Sequence, residues 1–152
     1  MHPLVQYFSN VPAPVFRGRL LAFEKAFAQT QELVSREFFP TFHMFGDGTY
    51  VRYFYMPKGS AAFGKIHKHE HIGMFMHGKM LSITEHGVDI LEGLQTFVVP
   101  PGTKRFVYAY EDSLYATVHK TNSRDLEEIE KDIMTNDYES VGLDVIEQEA
   151  LV

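Results

Sequence analysis

The run Gly64-Lys65-Ile66-His67-Lys68-His69-Glu70-His71 places three of the chain's eight histidines at every second position. On a β-strand that period puts all three imidazoles on one face. Neutral imidazole is the commonest protein ligand for transition metals, so the first chemistry suggested is a metal centre. Geometry limits the idea. At ~3.3 Å rise per residue, His67 and His71 stand roughly 13 Å apart on a straight strand. Zn–N bonds are only about 2.0–2.1 Å. One ion therefore takes two adjacent members, or two that flank a kink, and draws its other ligands from elsewhere. The competing reading is a solvated polar strand.

Composition narrows the chemistry further. The chain has 152 residues, one domain by length, with 13 Phe, 8 Tyr, no Trp and no Cys. Without thiolates, any metal must sit among nitrogen and oxygen ligands, which removes zinc ribbons and iron–sulfur clusters. A formal net charge of −6 argues against broad nucleic-acid binding, which depends on Lys and Arg neutralising phosphates. No apolar run approaches the ~20 residues needed to span a bilayer, and the N-terminus lacks the regions of a signal peptide. The expectation is a soluble protein, intracellular or virion-associated.

The elements that would hold such a site follow from periodicity. Residues 1–15 carry three prolines without a clear period and read as an irregular arm. Phe16, Leu20, Phe23, Phe27 and Val34 recur at helical spacing, predicting a helix that covers the open end of a sheet and stops before Pro40. From residue 41 the texture is strand, turn, strand. Thr49–Met56 is rich in β-branched and aromatic residues behind the turn Gly46-Asp47-Gly48, and Met74–His77, Met80–Glu85, Val88–Leu91, Thr96–Val99, Arg105–Tyr110 and Leu114–His119 follow. Short strands without intervening helices indicate an antiparallel sandwich or barrel. Asn122 or Ser123 can cap a helix bearing Leu126, Ile129 and Ile133 on one stripe. The organisation expected is an arm and helix over 1–40, a barrel over 41–121, and a helix with an acidic tail over 122–152, all one domain.

Residues 50–120 resemble the cupin superfamily of small double-stranded β-helix, or jelly-roll, barrels. Cupins carry a first motif of two histidines one residue apart, a glutamate and a glycine turn. With Gly78 as that turn, His71 falls at the glutamate, His67 at the second histidine and Lys65 at the first. Another register makes His67-x-His69 the pair. The second cupin motif is glycine, Pro-x-Gly and a histidine. It appears as Gly93 and Pro100-Pro101-Gly102, with Arg105 where the histidine is expected. Longer strings, including Gly64-Lys65-Ile66-His67-Lys68, Pro101-Gly102-Thr103-Lys104-Arg105 and Thr117-Val118-His119, resemble cupin-like proteins of tailed bacteriophages and metagenomes that have no assigned activity. Positions matching His67, Glu70, His71 and His119 belong to that group's pattern; the position of His69 does not.

In such a barrel the last strand runs near the first-motif strand, so His119 can join His67 and His71, with Glu70, His69 or water completing a centre for one divalent ion (Zn, Fe, Mn or Ni). Tyr115, Thr117 and His119 share one strand face. Lys65, Lys104 and Arg105 are poor metal ligands and good anion ligands, so a pocket for a small polar or anionic molecule is the alternative. His43, His77 and His86 lie near turns and read as solvated, and Glu85 and His86, being adjacent on a strand, face opposite ways. Two functions stand open. One is a structural, binding or accessory module that forms a homo-oligomer or meets a viral protein partner. The other is a small metal-dependent isomerase, lyase or oxygenase.

Overall fold

The computed structural model describes residues 3–30 and 39–149. Strand β1 (Thr41–Gly46) turns at Asp47-Gly48 into β2 (Thr49–Met56). Gly48 has φ 68°, which suits glycine in this tight turn. Next come β3 (Ala61–Phe63), β4 (Ile66–His67), β5 (His71–His77), β6 (Lys79–Thr84), β7 (Gly87–Glu92), β8 (Gln95–Val99), β9 (Phe106–Ala109) and β10 (Ser113–Lys120). Five strands pair antiparallel in the order β1-β2-β10-β5-β8, and four in the order β3-β9-β6-β7. The antiparallel, mainly β expectation holds, with a helical segment before the strands and a short helix after them.

Period-2 alternation builds the interior between the two sheets. Along β2, Tyr50 and Met56 are buried, and Phe54 packs against the cluster of Phe39, Met56, Phe75, Met80, Leu91, Val107, Ala109 and Tyr115. Gly73 on β5 is required by close packing. A Cβ there would lie 2.5 Å from the Phe97 ring and 2.7 Å from Tyr115 Oη.

Outside the barrel, three expectations change. The N-terminal arm contains a short helix, α1 (Pro3–Phe8), and α2 begins at Ala13 and is described to Thr30. Val34 lies outside the described residues. Rather than covering an open end, α2 lies on the outer face of the four-stranded sheet. Phe8, Phe16 and Leu20 pack against Leu81, Ile83 and Phe106, whose neighbours Met80 and Val107 point into the interior. Each buried Phe or Leu contributes ~1.5–3 kcal/mol of burial free energy, enough to explain why the helices stay on this face. At the C-terminal end the cap is Asp125, neither Asn122 nor Ser123. Its carboxylate accepts from the Glu127 and Glu128 amides at the start of α3 (Leu126–Ile133). A carboxylate at the positive helix end adds a dipole term that neutral Asn or Ser lacks.

A two-residue strand absent from the sequence reading, β11 (Met134–Thr135), pairs with β4. The acidic tail then docks: Ile146 N–H donates to Pro14 O at 3.0 Å, and any Cβ at Gly18 would collide with the Ile146 backbone. Among the described residues no helix is long and apolar enough to cross a membrane.

Candidate metal centre

The histidine run is not one strand. β4 ends at His67, residues 68–70 bend, and β5 begins at His71. The bend is held by Lys68 N–H donating to Ile133 O at 2.8 Å and Gly102 N–H donating to His67 O at 2.7 Å. It folds the 13 Å of a straight strand into a ring separation of 4.4 Å between His67 and His71. The kinked alternative is the observed one.

His119 arrives from β10, which pairs with β5 through Thr117↔Gly73 and Val118↔Ile72. Its ring lies 4.7 Å from His71 and 5.5 Å from His67, nearly parallel to the latter at 4°. Ligand nitrogens of the three residues all lie within 4.8 Å of one another. Zn–N bonds of about 2.0–2.1 Å bring ligand atoms to roughly 3.3 Å, so the rings need to close by at most ~1.5 Å around an ion.

The electronic state suits that use. His71 Nδ1 lies 3.2 Å from His69 O, an acceptor, so Nδ1 carries the proton and Nε2 keeps its lone pair. His119 Nε2 bonds Thr117 Oγ1 at 2.8 Å, which orients the ring from the residue two positions earlier on the same face. Burial pushes the His119 pKa down to about 3, with His71, Arg52 and His69 adding to the effect. Burial also lowers His71, the His69 carbonyl partly opposes it, and Arg105 lowers it further. Both rings are therefore neutral at pH 7, the form a metal requires. The donor set fits one divalent ion.

The other residues singled out by sequence divide. Glu70 and His69 are exposed and stand outside the cluster, with His69 Nε2 3.0 Å from Asp132 O. Lys65 lines the cavity beside the histidines and is ion-paired to Glu130. Arg105 also lines it, donating to Ser82 Oγ and packing over the Phe97 and Tyr115 rings at 5.4 and 5.9 Å. Lys104 does not line it. Alternation before β9 sends Arg105 inward with Val107 and Lys104 toward α2, where its ammonium meets Glu24 at 3.1 Å and Gly64 O at 2.9 Å.

One residue was missed. Arg52 lines the same cavity, and its buried Nε has no hydrogen-bond partner among the described residues. The signal was present in Thr49–Met56, where alternation puts Arg52 on the face of Tyr50, Phe54 and Met56, a charge among apolar side chains. His43 is not simply solvated, since Nδ1 bonds Tyr50 Oη at 2.8 Å. The cavity encloses about 60 Å³. A water needs roughly 10–15 Å³ on that measure, so several waters or one small molecule fit.

No protein-family model matches the chain, and no curated protein matches it. Solved structures do. A cupin 2 domain-containing protein from Halorhodospira halophila is 18% identical with a TM-score of 0.50, covering 63% of this chain and 70% of its own. KdgF from Halomonas sp. is 17% identical with a TM-score of 0.50, covering 65% of this chain and 90% of its own. A cupin-2 domain protein from Rhodospirillum rubrum, 17% identical, gives a TM-score of 0.50 over 62% of this chain and 68% of its own. At these identities the likeness speaks to architecture alone. The two facing antiparallel sheets that carry the histidine triad have the cupin fold.

Proposed function

We propose that this protein is a small cupin enzyme that uses one divalent metal ion on His67, His71 and His119. The observation that carries the reading is the convergence of three imidazoles, two buried and one half-buried, with His67 and His71 in the wall of a cavity large enough for a small molecule. A merely structural histidine cluster would have no use for that space. A divalent ion held there supplies Lewis acidity toward an oxygen of a bound molecule. The chain's own residues do the rest. Thr117 and the His69 carbonyl orient two imidazoles, while Phe54, Val99 and Val107 line the cavity with apolar surface that limits water. The reaction class stays at the level of isomerase, lyase or oxygenase.

Titrating the metal-free full chain with Co²⁺ tests this by visible absorption. The expected result is a one-to-one end point with bands of nitrogen and oxygen ligation, absent in His119→Ala. No end point in the parent chain overturns the proposal.

A second reading, an assembly or accessory role of the phage type, has its own supporting observation. On the outward face of the five-stranded sheet, Met44, Val51, Val118, Ile72 and Val98 align in one cross-strand row. Met44, Ile72 and Val98 are 54%, 39% and 57% exposed, and Phe42 in the next row is 58% exposed. A second copy of this chain would cover such a row by face-to-face sheet packing. Sedimentation equilibrium should show a dimer that Val98→Lys and Ile72→Lys dissociate; a monomer at high concentration would remove the support. Oligomerisation and metal chemistry use opposite faces of the sheet, so the two readings are compatible.

A further inference from the structure

The cavity beside the histidines is lined by three cationic side chains, Arg52, Lys65 and Arg105, and, among the described residues, by no Asp or Glu. Lys65 is neutralised by Glu130. Neither arginine makes an ion pair among the described residues. Both guanidiniums are half-buried, where a charge is costly without a partner; burial pulls the Arg52 pKa down, opposed by Tyr50 and by Glu130. Arg52 Nη1 contacts Met134 Sδ at 4.0 Å, the Glu130 charge acts on it through space, and its buried Nε has no hydrogen-bond partner among the described residues. Arg105 is held by Ser82 and by two aromatic rings, which fixes its plane without neutralising it.

The two guanidiniums reach the cavity from different sheets, Arg52 from β2 and Arg105 from the residue before β9. Both line the cavity that His67 and His71 also line. A divalent ion on three neutral imidazoles would add two further positive charges beside them, so the loaded centre calls for an anion in the same space. Planar guanidinium forks match the geometry of a carboxylate.

We propose that Arg52 and Arg105 together form a carboxylate-binding subsite, so that the molecule handled at the histidine centre is a small organic carboxylate. The assignment rests on the metal-centre reading for the word substrate, but not for the binding itself. The arginines hold the carboxylate from the barrel interior, and His67 and His71 stand in the wall of the same cavity.

The test uses the full chain, with and without Zn²⁺, and isothermal titration with malonate, its neutral analogue malonamide, and inorganic phosphate. Malonate should bind and malonamide should not. Arg52→Gln and Arg105→Gln should each weaken malonate by about tenfold or more while keeping one Zn²⁺ per chain. Arg52→Lys, which keeps the charge but loses the fork, should fall between. Malonate that fails to bind, or binds both arginine variants as tightly as the parent, overturns the subsite. Phosphate binding tighter than malonate overturns the carboxylate assignment. Zn²⁺ failing to bind while malonate still binds through the arginines leaves the subsite standing and sinks the metal reading alone.

Discussion

Two buried polar clusters lie on opposite sides of the four-stranded sheet, and they are built on opposite principles. Beneath α2, Arg17 meets Glu85 at 2.7 Å, with a second contact at 3.4 Å. Its Nη1 donates to Asp144 O at 2.9 Å, and Tyr138 lies under its guanidinium at 5.9 Å. Charge is balanced, and the docked tail closes the cluster. Inside the barrel, two of the three clustered imidazoles and two guanidiniums line one cavity, with no carboxylate lining it among the described residues. Buried polar groups that are fully satisfied need no ligand; those that are not point to one. The first cluster fastens helix, sheet and tail together. The second is a place for something to bind.

The sharpest way to break this comparison is to unbalance the satisfied cluster. Glu85→Ala leaves Arg17 buried without its counter-charge and should cost about 3–5 kcal/mol of stability, read by urea denaturation, with metal stoichiometry unchanged. Loss of metal without loss of stability in this variant would mean that the roles of the two clusters have been exchanged.

A smaller and pH-dependent effect comes from Tyr138. Burial raises its pKa above the usual 10, Glu85 and Glu24 add to the rise, and Arg17 opposes it. Above about pH 10 the unfolded chain releases this proton and the folded chain keeps it, so stability falls by ~1.4 kcal/mol per pH unit. Denaturation midpoints compared at pH 9 and pH 11 should drop more in the parent than in Tyr138→Phe. Equal drops would remove Tyr138 from the account.

A change in affinity rather than in stability sharpens the other side. Thr117→Val keeps the shape of the side chain but removes the hydroxyl bonded to His119. Metal affinity should weaken about 10–100-fold with the ion still bound at saturation, measured by competition with a chelator. Unchanged affinity would mean that the Thr117 bond does not orient the ligand.

Much of the barrel was readable because strands with one buried face announce themselves by alternation. Thr49–Met56 is bounded as expected, and the turn at Asp47-Gly48 sits where glycine chemistry put it. Alternation also foretold that Tyr115, Thr117 and His119 share a buried face. The same rule, applied to Arg52 or to Lys104 and Arg105 as neighbours, would have separated cavity cations from the one that meets α2. The bend between His67 and His71 was less accessible, since it is held by Ile133 O and by the Gly102 amide, groups distant in sequence. Least readable was Glu85. Its partner Arg17 lies 68 residues away, and nothing local to either residue signals the other. Helix α1 was hidden because six residues beside prolines carry almost no period of their own.

The central claim is that the unsatisfied cluster is a metal centre. Its most direct test is equilibrium dialysis of the full chain against Zn²⁺, with metal content read by mass spectrometry, for the parent and for His67→Ala, His71→Ala and His119→Ala. The account predicts one ion per chain in the parent and a loss of affinity in every variant beyond the roughly 100-fold seen for outer-shell changes. It also predicts that each metal-free variant unfolds at a urea midpoint close to that of the metal-free parent. A parent chain that binds no ion, or three variants that bind it as well as the parent, would contradict it.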